Sequence, residues 1–250
     1  GGDVDPDAMQ KLVEKHFAHH KIPEKPREHT LFPVPPHEET LAAIVDDPEA
    51  TGTSVGLFHK MPAEELRTVG DYRRRMVAQL VAQMLNQRFD EISRRPDAPF
   101  LAAYAWKGSF IRGVEFFGFG AQAAEGAAAS ALRGVALEAE RVRRHGFTAA
   151  ELERVKKTRM REVRSQWQER DSQESGKLAA ALVDVVTDNS VDPGIDAELK
   201  LHEEFLPGIT LEEVNQAVAS WLQPSSRVLL ADGPRNDGVN NSGAKDLPPA

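Results

Sequence analysis

Three histidines near the start of the chain are the residues whose type and spacing come closest to a metal site. His16 and His20 are four positions apart, so on a helix both imidazoles would lie on one face and could share a zinc ion. In the inverted zinc motif H-x-x-E-H the fourth residue is a glutamate that acts as general base, whereas here it is His19. We identify no downstream carboxylate as a third ligand. His16 and His20 are therefore an incomplete ligand pair, and the alternative is a polar helix end, where histidine suits the negative end of the helix dipole.

Two glycine-containing segments match the patterns of catalytic or nucleotide-binding turns. Residues 52–56 read G-x-S-x-G, but a nucleophile elbow needs a strand, a tight turn and a helix, and this segment continues into strand-like residues. Residues 118–123 read G-x-G-x-x-A between a predicted strand and a predicted helix, the context of a dinucleotide-binding turn. Glu138 and Glu140 have the spacing of a ribose-binding acid, yet they lie inside a predicted helix. A dinucleotide-binding enzyme is thus an alternative to a plain strand end followed by a tight turn.

A run of basic residues in the second half of the chain could contact nucleic acid. It alternates with glutamates on a predicted helix, a pattern typical of a solvated face with i, i+4 ion pairs. The whole chain carries a net charge of −8, which is the opposite of the basic footprint of a nucleic-acid binder. We therefore expect no nucleic-acid partner. The run comprises Arg154, Lys156, Lys157, Arg159, Arg161 and Arg164.

The composition is that of a soluble globular protein without thiol chemistry. In a chain of 250 residues, 40% are hydrophobic and 28% charged, so a sizeable core is expected. The absence of cysteine excludes disulfides, thiolate ligands and thiolate catalysis. No apolar run reaches the ~18–20 residues that a membrane span needs. We predict no catalytic residue, no metal site and no cofactor-binding residue in this chain.

Helices are predicted where apolar residues recur at helical spacing behind a capping residue. Asp5 caps a helix that begins at Pro6, and Gly146 ends an alanine-rich helix. Thr148 and Thr210 each precede a glutamate by three residues, as in a capping box. The predicted helices cover residues 6 to about 21, 71–89, 123–145, 148 to about 173 and 178–186, and a further helix follows Thr210.

Strands are predicted in pairs that alternate with these helices. They cover residues 41–45, 54–58, 100–106, 110–119 and 228–231, with a turn at Lys107-Gly108-Ser109 joining the third to the fourth. This order predicts an α+β fold in which helices pack on a mostly antiparallel sheet.

Several short segments follow one another in an order that is more specific than any one of them. They are Gly2-Asp3-Val4-Asp5-Pro6 with the helix to Phe17, Pro35-Pro36-His37-Glu38-Glu39-Thr40, Met84-Leu85-Asn86-Gln87-Arg88, Pro99-Phe100, Gly146-Phe147-Thr148 with Glu151, and residues 205–214. This series resembles the pitrilysin/insulinase family of zinc metallopeptidases, above all its long bacterial members, over nearly all of residues 1–234.

The resemblance implies a pitrilysin/insulinase-like metalloenzyme built from four similar α/β domains that close around a peptide-degrading chamber. Its first domain carries H-x-x-E-H and a downstream glutamate, which together hold zinc. Residues 1–22 resemble the last helix of that catalytic domain, 23–38 a linker, and 39–234 the second, non-catalytic domain. Residues 235–250 are predicted to be a disordered tail. The zinc motif is then expected upstream of Gly1, so the fragment alone is predicted to be inactive.

Three functional hypotheses follow from the residues and the resemblance. The first is a non-catalytic domain of a zinc metalloendopeptidase, whose partners are the upstream catalytic domain, the C-terminal half of the same polypeptide and a peptide substrate. The second is a catalytically inactive structural or partner-binding subunit of the same fold. The third is the dinucleotide-binding enzyme. The resemblance also implies a bacterial periplasmic location, with the cytoplasm as the alternative.

Overall fold

A computed structural model of the chain describes residues 4–21, 23–25, 27, 32–188 and 191–234. Within these ranges the chain forms seven α-helices and five β-strands, which confirms the predicted α+β class. The tail predicted to be disordered, residues 235–250, and part of the predicted linker lie outside the described residues. The division into a terminal helix, a linker and a second domain stays a prediction.

The strands are β1 (Leu41–Asp46), β2 (Thr53–Pro62), β3 (Ala102–Ile111), β4 (Val114–Ala123) and β5 (Arg227–Gly233). They form one sheet in the order β1-β5-β2-β4-β3. Three of its four strand pairings are antiparallel, and only β1 runs parallel to its neighbour β5. The sheet is therefore mostly antiparallel, as predicted. Because β5 lies between β1 and β2, the last strand in the sequence joins the first strand to the rest of the sheet.

The helices are α1 (Pro6–Phe17), α2 (Val69–Ser93), α3 (Ala128–His145), α4 (Ala149–Gln168), α5 (Ser175–Asp188), α6 (Ile195–Phe205) and α7 (Leu211–Trp221). Helices α2 and α3 contact the sheet, α4 and α7 pack on α2, and α6 packs on α4. The fold is thus a sheet with one layer of helices and a second set of helices outside it.

Helix α2 supplies the centre of the core, as its predicted apolar stripe requires. Leu80, Met84 and Phe89 are fully buried on the face that meets the sheet. The Phe89 ring lies edge-on to Phe119 of β4 with 6.2 Å between centroids. Burying each such side chain contributes about 1.5–3 kcal/mol, so this helix fixes the position of the sheet.

Of the two predicted capping boxes, one has both of its reciprocal hydrogen bonds and the other has only one. The Thr148 N–H donates to Glu151 Oε2 at 2.7 Å, and the Glu151 N–H donates to Thr148 Oγ1 at 3.3 Å. Thr210 Oγ1 likewise accepts from the Glu213 N–H at 3.2 Å. The Glu213 carboxylate, however, binds Arg73 of α2, with Nη2 to Oε2 at 2.8 Å. The prediction of a second full box is wrong because a charged guanidinium is the stronger partner.

The hairpin of β3 and β4 turns later than predicted. Ile111 pairs with Val114, so the two residues between them make the turn, and Gly113 has a φ of 87°. A two-residue hairpin turn needs positive φ, which glycine adopts without strain. The predicted turn at residues 107–109 is wrong, since this segment lies within β3. Its glycine would place a Cβ 3.4 Å from the Trp106 side chain, so it leaves room for that ring.

Other element boundaries also differ from prediction. Strand β4 continues to Ala123, so α3 begins only at Ala128 and not at residue 123. Helix α4 ends at Gln168, and a 3-10 turn over Arg170–Ser172 follows where helix was predicted. Helix α6 was not predicted. Its Gly194 N-cap provides no side-chain hydrogen bond, so the capping signal used elsewhere is missing there.

Candidate functional site

The three histidines of the incomplete zinc motif lie on exposed positions at the end of α1. His16 is in the last turn of the helix, and the rings of His19 and His20 follow with 4.4 Å between their centroids. Among the described residues, no three His, Asp or Glu side chains are grouped so that they could hold a metal ion. The described residues therefore do not fit a zinc site, and His16 and His20 stay a pair without a third ligand.

Neither glycine-containing segment has the local structure that its chemistry requires. Ser54 lies within β2, where its Oγ donates a hydrogen bond to the Asp232 carboxylate on β5, so it is not on an elbow. Gly118 and Gly120 lie in the middle of β4, which continues to Ala123. The predicted tight turn at these glycines is wrong, and the strand–turn–helix context of a dinucleotide site is lost with it.

Part of the basic run on α4 bridges to α6. Arg159 Nη2 lies 3.3 Å from Glu198 Oε1, and Arg164 Nη2 lies 3.1 Å from Glu203 Oε1. These carboxylates belong to the helix that sequence reasoning missed, so the predicted pairing within α4 accounts for only part of the pattern. The run therefore connects two helices, and no specific observation favours nucleic acid as its partner.

Residues from two of the segments that carry the family resemblance meet at one side chain, Arg88 of α2. Its Nε and Nη2 bind Glu151 Oε1 and Oε2 at 2.6 and 3.0 Å, and its Nη1 lies 2.9 Å from Glu138 Oε1. Nη2 also donates to the Gly146 carbonyl oxygen at 3.1 Å, and the guanidinium carbon lies 4.9 Å from the centroid of the Phe147 ring. One arginine thus joins α2 to α3, to α4 and to the loop between them.

The charges in this cluster hold one another ionised. Burial opposes ionisation of Glu151, but hydrogen bonds from Arg88 and Thr148 outweigh it and lower the pKa of this carboxyl to about 2. Burial also disfavours the Arg88 cation, yet its bonds to Glu151 and Glu138 raise its pKa above the usual arginine value. Neither group exchanges protons near neutral pH, so the cluster serves structure and not acid–base catalysis.

Asn86, from the same segment as Arg88, closes part of the outer edge of β3. Its Oδ1 accepts from the Ala105 N–H at 2.6 Å, and its Nδ2 donates to the Ala105 carbonyl at 3.2 Å. The side-chain amide therefore takes the place of a neighbouring strand at this residue. An edge blocked in this way is protected against pairing with another chain.

A second cluster of polar side chains lies between α2, α4 and α6, with His202 buried at its centre. His202 Nδ1 donates to the Glu198 carbonyl at 2.8 Å, and Arg159 Nε donates to His202 Nε2 at 3.2 Å. Burial, with a smaller contribution from the Arg159 cation, lowers the pKa of His202. Burial and the nearby Glu198 raise the pKa of Tyr72, whose ring meets the imidazole edge-on at 6.0 Å. Both groups are fixed in one protonation state near neutral pH, which suits a structural role.

The sheet has a covered face and an open face. Leu57, Ala105 and Phe117, from β2, β3 and β4, point into the core formed with the helices. Since successive side chains of a strand alternate between the two faces, the residues next to them point the other way. Exposure on this face is uneven: Tyr104 exposes 47% of its surface and Leu230 exposes 39%, whereas Phe116 is buried.

Four aromatic rings cluster on the open face, and we call them the aromatic sheet face: Phe58, Tyr104, Trp106 and Phe116. The Trp106 ring centroid lies 5.7 Å from that of Phe58, 5.1 Å from that of Tyr104 and 5.3 Å from that of Phe116. Sequence reasoning missed this cluster, although aromatic residues alternating with core residues along β3 and β4 carried a signal for it.

Two helices also expose apolar side chains. On α1, Met9, Leu12, Val13 and Phe17 share one side of the helix, and their exposed fractions run from 44% for Met9 to 64% for Phe17. We call these four residues the α1 stripe. On α5, the exposed apolar side chains are Leu178, Leu182, Val183 and Val186. Uncovered apolar surfaces of this kind mark places where a protein contacts another domain or chain.

Comparison with known proteins shows the family to which the chain is similar. Residues 1–159 match the family model described as the peptidase M16 inactive domain. A zinc protease PQQL-like protein from Arabidopsis thaliana is 31% identical over 170 residues, which are 68% of this chain and 15% of that protein. The chain thus spans well under a fifth of the length of this curated relative.

Solved structures of similar fold are described as proteases. The first half of the periplasmic protease PqqL from Escherichia coli aligns over 100% of this chain and 52% of its own, with 18% identity and a TM-score of 0.80. A predicted insulinase family protease from Yersinia pestis aligns over 98% and 53%, with 17% identity and a TM-score of 0.78. This chain therefore has the fold of about half of each structure.

Among the described helices, none is both long and apolar enough to cross a bilayer.

Proposed function

Because this chain belongs to the peptidase M16 inactive-domain family, we propose that it is the non-catalytic domain of a zinc metalloendopeptidase that degrades peptides inside a closed chamber. In this proposal the zinc-binding H-x-x-E-H motif lies in the region that precedes residue 1 in the parent polypeptide. The chain itself supplies part of the chamber wall and supports the catalytic domain. The incomplete ligand pair His16 and His20 takes no part in hydrolysis.

The α1 stripe is the observation that carries this proposal. A helix of 12 residues with four exposed apolar side chains gains little stability alone, because most helices depend on packing of an apolar face. Its packing partner is therefore expected in another part of the parent protein. We take the catalytic domain as that partner, because residues 1–22 resemble the last helix of such a domain.

The relatives also support a proposal for the other partners of the parent protein and for its location. The chain covers only about half of the Escherichia coli structure, which is itself the first half of a protease. We propose that a C-terminal half of the same polypeptide completes the chamber and that peptides are the substrate. Since that relative is described as periplasmic, the bacterial periplasm is the location we propose for the parent.

The direct experiment recovers the coding sequence that precedes residue 1 and expresses the complete parent protein. We expect H-x-x-E-H in that region and hydrolysis of a quenched fluorescent peptide that a zinc chelator abolishes. A glutamine in place of the motif glutamate should abolish hydrolysis while zinc stays bound, since only the general base is lost.

A parent protein without the motif would instead support the second hypothesis, a catalytically inactive structural or partner-binding subunit. The matched control is the 250-residue chain alone under the same conditions.

A further inference from the structure

Three basic side chains of α4 have no acidic partner in the described part of the chain, and we call them the α4 basic row: Arg154, Lys157 and Arg161. All three are exposed, and no described carboxylate forms an ion pair with any of them. Elsewhere on the helix, Arg159 and Arg164 pair with carboxylates of α6 at 3.3 and 3.1 Å. The pairing expected from the sequence therefore leaves an uncompensated set of positive charges.

The three side chains of the row lie on one face of the helix. Their positions are i, i+3 and i+7, which repeat at the helical period, and at 1.5 Å per residue they span about 10 Å along the axis. They line one shallow depression together with Arg164, Ala150 and Thr158, and Arg161 Nη2 donates to Thr158 Oγ1 at 3.2 Å. Among the described residues that line it, only Glu153 is acidic. The depression is therefore a concentrated positive surface.

The charge of the row selects an anionic partner, and its surroundings indicate which kind. The chain has a net charge of −8, so as a whole it repels a long polyanion such as nucleic acid, whereas the row attracts a short anionic segment at close range. No aromatic ring is among the described residues that line the depression, so unpaired bases have no stacking surface there. Met160 is the one large apolar residue of this lining, which is too little for insertion into a membrane interface.

An acidic peptide fits the row in both chemistry and spacing. A carboxylate binds an arginine guanidinium through two parallel hydrogen bonds, and Arg154 and Arg161 present two such groups to solvent. Alternate side chains of an extended peptide are about 7 Å apart. The two arginines are about 10 Å apart along the helix axis, and Lys157 lies between them. Because these side chains are long and flexible, two or three acidic residues in alternation can bind the row together.

We infer that the α4 basic row binds acidic segments of the peptides that the parent protein degrades. The inference rests on the proposed function in naming a peptide substrate as the partner. It deepens that proposal, because it gives the non-catalytic domain a preference for one class of peptide. Binding through the row needs no zinc and is therefore a property of this chain.

The test measures, by fluorescence anisotropy, how the 250-residue chain binds a fluorescein-labelled peptide in which glutamate alternates with serine. The same peptide with glutamine in place of glutamate is the neutral probe. The test variant combines Arg154→Gln, Lys157→Gln and Arg161→Gln. The matched control removes the same charge at exposed residues elsewhere and combines Arg94→Gln, Arg95→Gln and Arg133→Gln. Glutamine preserves helix propensity, and circular dichroism verifies that each variant is folded.

We expect the glutamate peptide to bind the unchanged chain and the control variant equally. The test variant should bind it at least about tenfold more weakly, because three exposed ion pairs that are weak individually are lost together. Added salt should weaken the binding, and the glutamine peptide should not saturate the chain.

Two kinds of result would overturn the inference. One is equal binding of the glutamate peptide by the two variants, or no binding by the unchanged chain. The other is tighter binding of an oligouridylate or of phosphatidylglycerol vesicles than of the glutamate peptide, which would assign the row to nucleic acid or to a membrane surface.

A second measurement, on the complete parent protein, separates this inference from the proposed function. In the test variant the KM for an acidic quenched fluorescent peptide, relative to that for a neutral one, should rise about tenfold, and in the control variant this ratio should not change. If the parent hydrolyses both peptides and the ratio is the same in the test variant, the inference fails and the proposed function stands. If the parent hydrolyses neither peptide but the chain binds the glutamate peptide through the row, the proposed function fails and the acidic-peptide site stands.

Discussion

Arg88 and Glu151 are 63 residues apart in the chain and form a two-bond ion pair, with Nε to Oε1 at 2.6 Å and Nη2 to Oε2 at 3.0 Å. The same carboxylate accepts the Thr148 N–H of the capping box. One glutamate therefore caps the N-terminus of α4 and joins this helix to the central helix α2. Both residues lie in segments that carry the family resemblance.

Removing this arginine should destabilise the fold strongly. In Arg88→Ala the Glu138 side chain, which is only 2% exposed, loses its mostly buried cation and keeps only the exposed Arg141 as an ionic partner. Breaking a buried ion pair by removing one partner costs about 3–5 kcal/mol. Urea unfolding of the 250-residue chain measures the loss. The matched control is Arg143→Ala, whose pair with Glu140 is exposed and should contribute less than about 1 kcal/mol. Similar small losses in the two variants would contradict a central role for Arg88.

Stability should decrease below neutral pH because of buried histidine. Burial, with an added effect of the Arg227 cation, lowers the pKa of His59 from 6.5 to about 4, against the opposing effect of its hydrogen bond to Gln223. Between these two values the unfolded chain binds a proton that the folded chain does not. The free energy of unfolding should therefore fall as pH decreases through this window, by on the order of 1 kcal/mol per pH unit.

The variant His59→Gln separates this contribution from the rest. It should unfold with a shallower dependence on pH between about 4.5 and 6.5, while the lowered pKa of His202 leaves part of the slope in place. The pKa of the Glu151 carboxyl is lowered from 4.5 to about 2, so its contribution is lost mainly below pH 4.5 and adds to the slope only at the lower end of this window. An unchanged slope in His59→Gln would mean that His59 is protonated in the folded chain.

Two glycine-to-alanine substitutions in helices should have opposite effects. A Cβ on Gly134 of α3 would lie 2.6 Å from Pro99 Cγ, and the proline ring cannot rotate away. Gly134→Ala should cost about 1–3 kcal/mol, as overpacking does. A Cβ on Gly176 of α5 meets nothing within 4 Å, so Gly176→Ala should be neutral or stabilise by up to about 1 kcal/mol. Thermal unfolding ranks the two, and a stabilising Gly134→Ala would show that α3 does not approach Pro99 this closely.

The revised position of the hairpin turn is also testable. Gly113→Val places a β-branched side chain at a φ of 87° and should cost at least about 1 kcal/mol, whereas Gly113→Asn should be tolerated better. Gly108→Ala has ordinary backbone geometry and a nearest Cβ contact of 3.4 Å, so its effect should be smaller. Denaturation of the three variants gives the order. A larger loss in Gly108→Ala would place the turn where the sequence alone predicted it.

Local signals in the sequence predicted most elements, and long-range contacts account for most of the errors. The Asp5 cap, the Thr148 box and the α2 stripe depend on residues within one or a few turns, and each is confirmed. Glu213 was assigned to a box that its sequence spacing fits, but its carboxylate binds Arg73, 140 residues away. No local pattern can indicate that choice.

In the candidate site, too, sequence patterns alone could not indicate features that depend on long-range contacts. Sequence spacing identified His16 and His20 as a pair lacking a third ligand, and that interpretation stays a prediction. Gly118 and Gly120 were interpreted as a turn because glycine pairs often are, whereas here they make room for the rings of Phe58 and Tyr104 on neighbouring strands. The aromatic sheet face could not be assembled without the strand order, in which β4 lies between β2 and β3.

The most direct test of the account measures zinc binding and peptide hydrolysis by the purified 250-residue chain. Equilibrium dialysis followed by metal analysis should find no stoichiometric zinc at neutral pH, and a quenched fluorescent peptide should stay intact. His16→Ala with His20→Ala should leave both results unchanged. Zinc bound at one equivalent, lost in that double variant and accompanied by chelator-sensitive hydrolysis, would contradict the assignment of this chain as a non-catalytic domain.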